Sequence, residues 1–155
     1  MERIYSVDVE WTGNNGTGTS RYDAYGRNHI IQGKDKPEIM GSAEELFRGD
    51  ESRYNPEELL VSALSTCHML WYLHLCADAG VIVLSYKDSP VGKMFIPETG
   101  SGHFTEVTLN PFVQVAEESM ISPAMELHEA ARNRCFIANS VNFKVNHLPE
   151  VKCAE

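Results

Sequence analysis

The chain has no Cys-x-x-Cys pair, no excess of basic residues and no unbroken apolar run of about 18 residues, and each lack removes a class of function. Its four cysteines, Cys67, Cys76, Cys135 and Cys153, are too few and too irregularly spaced for a secreted disulfide framework. Without paired spacing they suggest neither a structural zinc site nor a thioredoxin motif, so their interest lies in reactivity. Lys and Arg number 13 against 22 Asp and Glu, a net charge of -9, which repels phosphate backbones and anionic lipid. The expected partners therefore include no nucleic acid and no membrane. The N-terminus MERIYSVDVE lacks the apolar core of a signal peptide, and the expected location is cytoplasmic. No internal repeat or low-complexity stretch is present. A single domain covering residues 1–155 is expected, since 155 residues suffice for a core without disulfide staples.

What the sequence does contain is one long helical stretch, Asn55 to Ala79, reading NPEELLVSALSTCHMLWYLHLCADA. Leu59, Leu60, Ala63, Leu64, Leu70, Trp71 and Leu75 recur at helical spacing, and Gly80 closes the run. Asn55 can cap, Pro56 suits the first helical position, and Glu58 is placed to complete a capping box. Cys67 lies in the middle.

Around this helix the pattern is that of strands. Ile4 to Trp11 alternates and predicts a strand with one buried face; TGNNGTGT at Thr12 to Thr19 is a turn, and Arg21 to Tyr25 and His29 to Gln32 predict short strands of an antiparallel meander. Ala43 to Phe47 suits a helical turn. Beyond Gly80, Val81 to Tyr86, Pro90 to Ile96, Phe104 to Asn110 and Phe112 to Ala116 predict antiparallel strands. A second helix starts with Ser122 as cap and Pro123 at its first position, and ends near Cys135. Ser140 to Val145 predicts a last strand, and the tail HLPEVKCAE is expected to be peripheral.

The order of elements predicts an α+β fold, antiparallel sheets packed around a long central helix. Apolar residues from Leu59 to Leu75 cover nearly the whole circumference of that helix, more than one sheet face can bury. The expectation is a homodimer with the central helices between protomers.

Free cysteine is a common core residue, and Cys67 lies about 18 Å along the axis from the helix start, too far for the N-terminal dipole to activate it. A cation from elsewhere must favour its thiolate. Cys135 follows ARNRC, and two cysteines on different elements can meet when the helices pack; Cys76 lies on another side of the same helix as Cys67. His74 and His128 each stand two turns from a cysteine, about 10 Å along the axis, too far to share a zinc ion with it. His68 points about 100° away from Cys67.

The segment NPEELLVSALSTCHM, with Glu57 ten residues before Cys67, and the later HEAARNRCFIANS resemble the OsmC/Ohr family of osmotically inducible and organic hydroperoxide resistance proteins. The resemblance implies an intertwined α+β homodimer with two shared active sites and thiol-dependent reduction of organic hydroperoxides. It makes Cys67 the peroxidatic thiol, Cys135 the resolving thiol and Glu57 the holder of a catalytic arginine. That arginine is Arg48 in an OsmC-like arrangement and Arg21 or Arg27 in an Ohr-like one; Arg48 is preferred. Phe136 stands where a proline is usual, and His68 where an aromatic is common.

On this reading Arg48 favours the Cys67 thiolate and binds a peroxide oxygen, Glu57 orients Arg48, and Cys135 closes a disulfide that an external dithiol reduces. No flavin, haem or metal is required. Apolar Leu64, Leu70 and Trp71 favour an alkyl tail on the substrate. Glu57 and Cys67 are about 15 Å apart along one helix, so an Arg-Glu-Cys cluster takes its glutamate from the partner protomer. The competing readings are a non-catalytic dimer binding a small apolar ligand, and a thiol redox sensor with slow turnover.

Overall fold

The Asn-Pro-Glu-Glu start folds as its side chains dictate. Asn55 Oδ1 accepts the N–H of Glu58 at 2.8 Å, and Glu58 Oε2 accepts the N–H of Asn55 at 3.1 Å, a reciprocal capping box. From it runs helix α1, Pro56–Asp78, closed by Gly80 at φ +73. The computed structural model describes residues 1–155, which divide into two compact units, Met1–Leu59 and Leu60–Glu155.

In the first unit β1 (Asp8–Trp11), β2 (His29–Gln32) and β3 (Ile39–Gly41) form an antiparallel sheet in that order, with Val9 opposite Ile31 and Ile30 opposite Met40. Arg21 to Tyr25, expected as a strand, is instead a turn region. Arg27 stacks on the rings of Tyr22 and Tyr25 at 4.4 and 4.0 Å and donates to the carbonyls of both residues, which curls the chain around its guanidinium. The expected buried face of the first strand is also absent: β1 is exposed along its whole length, Val9 at 67 %. A short 3-10 turn, Glu45–Phe47, precedes Arg48, whose φ of 65 and ψ of 31 place a non-glycine residue in the left-handed region.

The second unit contains β4 (Val83–Asp88), β5 (Val91–Phe95), β6 (His103–Leu109), β7 (Pro111–Val115), helix α2 (Ile121–Arg134), β8 (Lys144–His147) and β9 (Glu150–Cys153). The strands make two three-stranded sheets, β4-β7-β9 and β5-β6-β8. In each sheet one pairing is antiparallel and one, β6 with β8 or β7 with β9, is parallel. The sheets are therefore mixed rather than antiparallel, because α2 crosses over between β7 and β8.

The two sheets are halves of three longer ribbons. Each ribbon breaks at a proline: Pro90 between β4 and β5, Pro111 at the start of β7, and Pro149 between β8 and β9. Proline has no N–H to give to a ladder, so three prolines at one level interrupt all three ribbons along a transverse seam. Asp88 bridges it. One carboxylate oxygen accepts the N–H of Asn110 at 2.7 Å, and the other accepts the Ser65 hydroxyl of α1 at 2.5 Å.

Two cores follow from this division. Leu64 of α1 packs with Val107, Leu109 and Val145 of one half-sheet. Further along α1, Tyr72, Leu75 and Cys76 pack with Val113, Val115 and Val151 of the other, together with Ala124 and Ala131 of α2. By length and composition α1 could cross a membrane, but here its Leu64, His68, Tyr72 and Leu75 are buried against the sheets and α2.

Three further expectations are corrected. Helix α2 begins at Ile121, after a 3-10 turn over Glu118–Met120, so Ser122 lies inside it and caps nothing. The last strand is displaced: Ala138–Ser140 is a 3-10 turn and β8 starts at Lys144. The tail is not peripheral, since Val151 of β9 is buried and opposes Val113 of β7. For the strands, partners distant in sequence override a local signal; for α2, the preceding 3-10 turn leads straight into the helix.

Candidate functional site

Cys67 lies on α1 between Leu64, which serves one core, and Tyr72, which serves the other, and so sits at the level of the seam. It is half-buried. Cys135 occupies the C-terminal cap of α2 in extended conformation and is 1 % exposed. The Cys67 side chain lies near enough to Cys135 to act on its thiol, and both cysteines are free. Burial, and then the hydrogen bond to Cys67, push the Cys135 thiol up to about 11. Cys135 thus keeps its proton at neutral pH. A hydrogen bond holds the Cys135 sulfur in place: it accepts the N–H of Ala138 at 3.4 Å.

Beside the thiols stands a wall of apolar and cationic groups. Trp71, one turn on from Cys67, meets Phe136 edge-on with ring centroids 5.5 Å apart, and the Arg134 guanidinium lies over the same indole at 5.7 Å. Phe136, the residue standing where the family resemblance leads one to expect proline, supplies an exposed aromatic face next to the thiol pair.

The remaining expected site residues belong to the first unit. Arg48 follows the 3-10 turn, exposed, and Glu57 is half-buried in the first turn of α1. The structure does not bring these two together: neither forms an ion pair within the chain. The alternative arginines are otherwise occupied. Arg27 is held between Tyr22 and Tyr25, and Arg21 pairs with Asp23 at 3.1 Å.

Sequence reasoning missed a buried histidine cluster. His68 Nε2 and His128 Nδ1 are 3.0 Å apart, with the two rings nearly parallel. Tyr72 stacks on His128 with centroids 3.9 Å apart, and His147 packs against His68 at 4.5 Å. Burial first, then the neighbouring imidazoles, hold His68 down to about 3 and His128 to about 4, so both rings are neutral at physiological pH. His147 is lowered by burial as well. The signal was present in the spacing. His68 and Tyr72 are four apart on α1, and His128, Ala131 and Cys135 fall three and four apart on α2, so each set shares a face. No three His, Cys, Asp or Glu side chains converge in a geometry that could hold a metal ion.

The family model described as OsmC-like protein matches residues 49–147. Among solved structures, an OsmC-like protein of unknown function from Vibrio cholerae is 30% identical, with 97% of this chain and 100% of that chain covered and a TM-score of 0.84. An organic hydroperoxide resistance protein from Elizabethkingia anophelis aligns over 98% of this chain and 100% of its own at 18% identity and a TM-score of 0.70. An organic hydroperoxide resistance protein OsmC from Legionella pneumophila aligns over 97% and 99% at 15% identity and 0.63. These last two share the fold. No curated protein sequence matches the chain. The matched segment runs from just after Arg48 through both thiols to His147, and with it the chain belongs to the OsmC-like protein family.

Proposed function

We propose that the protein is a cysteine-based peroxidase that reduces organic hydroperoxides to alcohols. The observation that carries this reading is the thiol pair, a half-exposed Cys67 in contact with a buried, protonated Cys135. An incoming peroxide meets Cys67 first. Its thiolate attacks the terminal peroxide oxygen, the O–O bond breaks, and the alkoxide takes a proton and leaves as alcohol while Cys67 becomes a sulfenic acid. Cys135 gives up its proton and attacks the Cys67 sulfur; the S–S bond forms and hydroxide leaves as water. An external dithiol then returns both thiols by two exchange steps and is itself oxidised to a disulfide. Trp71 and Phe136 favour an alkyl or aryl substituent on the peroxide.

The cation at this site is Arg48 on our reading, since it alone of the three candidate arginines has no partner in the chain, and Glu57 of the opposite protomer orients it. A homodimer is supported by apolar groups with no cover in one chain, Leu70 at 64 % and Val9 at 67 % among them. A cytoplasmic location, where dithiol reductants are abundant, suits this chemistry.

Free-thiol titration before and after one equivalent of cumene hydroperoxide tests the reading. Two thiols per chain should be lost, none in Cys67→Ser, and dithiothreitol should restore them through repeated cycles. Unchanged thiols would overturn the proposal in favour of a ligand-binding role. Turnover with hydrogen peroxide exceeding that with cumene hydroperoxide would overturn the assigned substrate class.

A further inference from the structure

Two of the side-chain contacts between α1 and α2 differ in spacing on the two helices. On α1 they arise from consecutive residues, Cys67 and His68, at one axial level and about 100° apart around the axis. On α2 they arise from Cys135 and His128, on one face and about 10 Å apart along the axis. A pair of contacts that is lateral on one helix and axial on the other requires α2 to run steeply across α1. The other contacts agree: Trp71 meets Phe136 and Arg134 at the end of α2, whereas Tyr72 meets His128 in its middle. In such a crossing one contact fixes a point and a second is needed to fix the angle.

We propose that the His68–His128 hydrogen bond is a positioning contact that sets the angle of α2 on α1 and thereby holds Cys135 against Cys67. The bond has an ordinary length, 3.0 Å, and both rings are almost wholly buried, so water does not compete for it. Its lever arm along α2 is about 10 Å, and a small change in angle moves the Cys135 sulfur by a comparable fraction of that length. Tyr72 from α1, His147 from β8 and, near His147, Asp88, Glu129 and Arg132 complete the polar surroundings of the pair. The importance of this contact for catalysis rests on the peroxidase reading; its importance for thiol proximity does not.

The test therefore measures disulfide closure apart from peroxide chemistry. Diamide accepts two electrons and two protons from the thiol pair, and the disappearance of Cys67 and Cys135 thiols gives the rate of closure. His128→Phe keeps a ring to stack on Tyr72 but removes the Nδ1 atom, and closure should slow about tenfold, the effect of one buried hydrogen bond. His128→Asn restores a polar atom at the Nδ1 position and should return the rate to within about threefold of the original, whereas His128→Gln, whose polar atoms lie further out, should not. If the Phe variant fails to fold, the α1 side provides a second route: His68→Asn, which has no polar atom at the Nε2 position, should slow closure about tenfold, and His68→Gln, which keeps one, should not. Alkylation of Cys67 by iodoacetamide should stay the same in all of them, because the nucleophile itself is untouched. Closure in His128→Phe at the original rate, or equal slowing in the Phe and Asn variants, would overturn the proposal. Normal diamide kinetics in a protein inert to cumene hydroperoxide would instead overturn the peroxidase reading alone.

Discussion

Acid should unfold this protein by way of His68 and His128, and the effect can be sized. An imidazole in the unfolded chain titrates near 6.5, whereas burial holds these two at about 3 and about 4 in the folded chain. Above pH 6.5 both states are neutral and nothing is lost. As pH falls below 6.5 the unfolded chain takes up protons that the folded chain refuses, so stability declines with falling pH until the folded-state values are passed. At pH 5, about 1.5 pH units below the ordinary imidazole value, each ring withholds about 2 kcal/mol, or about 4 kcal/mol for the pair. That is a large share of the roughly 5 to 15 kcal/mol that holds a typical domain together. The carboxylates lowered by their partners, Asp50 and Glu106, titrate below this window and do not obscure it. Urea unfolding at pH 7.5, 6.0 and 5.0 should show the midpoint falling at each step with an unchanged denaturant slope. Substitution of His128 by phenylalanine should roughly halve the pH dependence. A midpoint flat between pH 7.5 and 5.0 would refute the assignment of these rings as buried and neutral.

Arg48→Gly should raise stability by about 1 kcal/mol, since glycine occupies the left-handed region without the Cβ penalty, yet cut the rate of Cys67 oxidation by cumene hydroperoxide at least tenfold. Paired urea melts and stopped-flow thiol loss read the two opposite signs. Asn55→Ala removes the acceptor for the Glu58 N–H and should cost about 1 kcal/mol by the same melts. Truncation after Leu148 deletes β9 with buried Val151 and opens the edge of β7; a loss of about 3 kcal/mol should lower Tm by about 6 to 12 °C in differential scanning calorimetry.

The helices were the legible part of this fold. The start of α1 could be read almost to the residue because its signals are local: an acceptor at Asn55, a proline that needs no N–H, and a glutamate one turn on. Strand existence was legible too, but partner choice was not. Nothing in HLPEVKCAE says that Val151 will lie beside Val113, because a parallel pairing across a crossover helix leaves no local mark. The start of α2 was misread because Ser122 and Pro123 imitate a cap, while the preceding 3-10 turn already supplies the entry. At the site, each cysteine could be named but their contact could not, since it depends on the crossing of two helices. The histidine cluster stayed hidden for the same reason: His68 was weighed against Cys67 beside it, when its partner is 60 residues away.

The proline seam gives the protein two separately packed cores. Leu64 and Val107 answer to one half-sheet, Val113 and Val151 to the other, and what crosses between them is α1, the three interrupted ribbons, the carboxylate of Asp88 and the histidine cluster. Volume changes on one side have few packed neighbours through which to reach the other, so core substitutions made one on each side should add in their effect on stability. A substitution that must suit both halves at once falls along the short span of α1 from Ser65 to Tyr72.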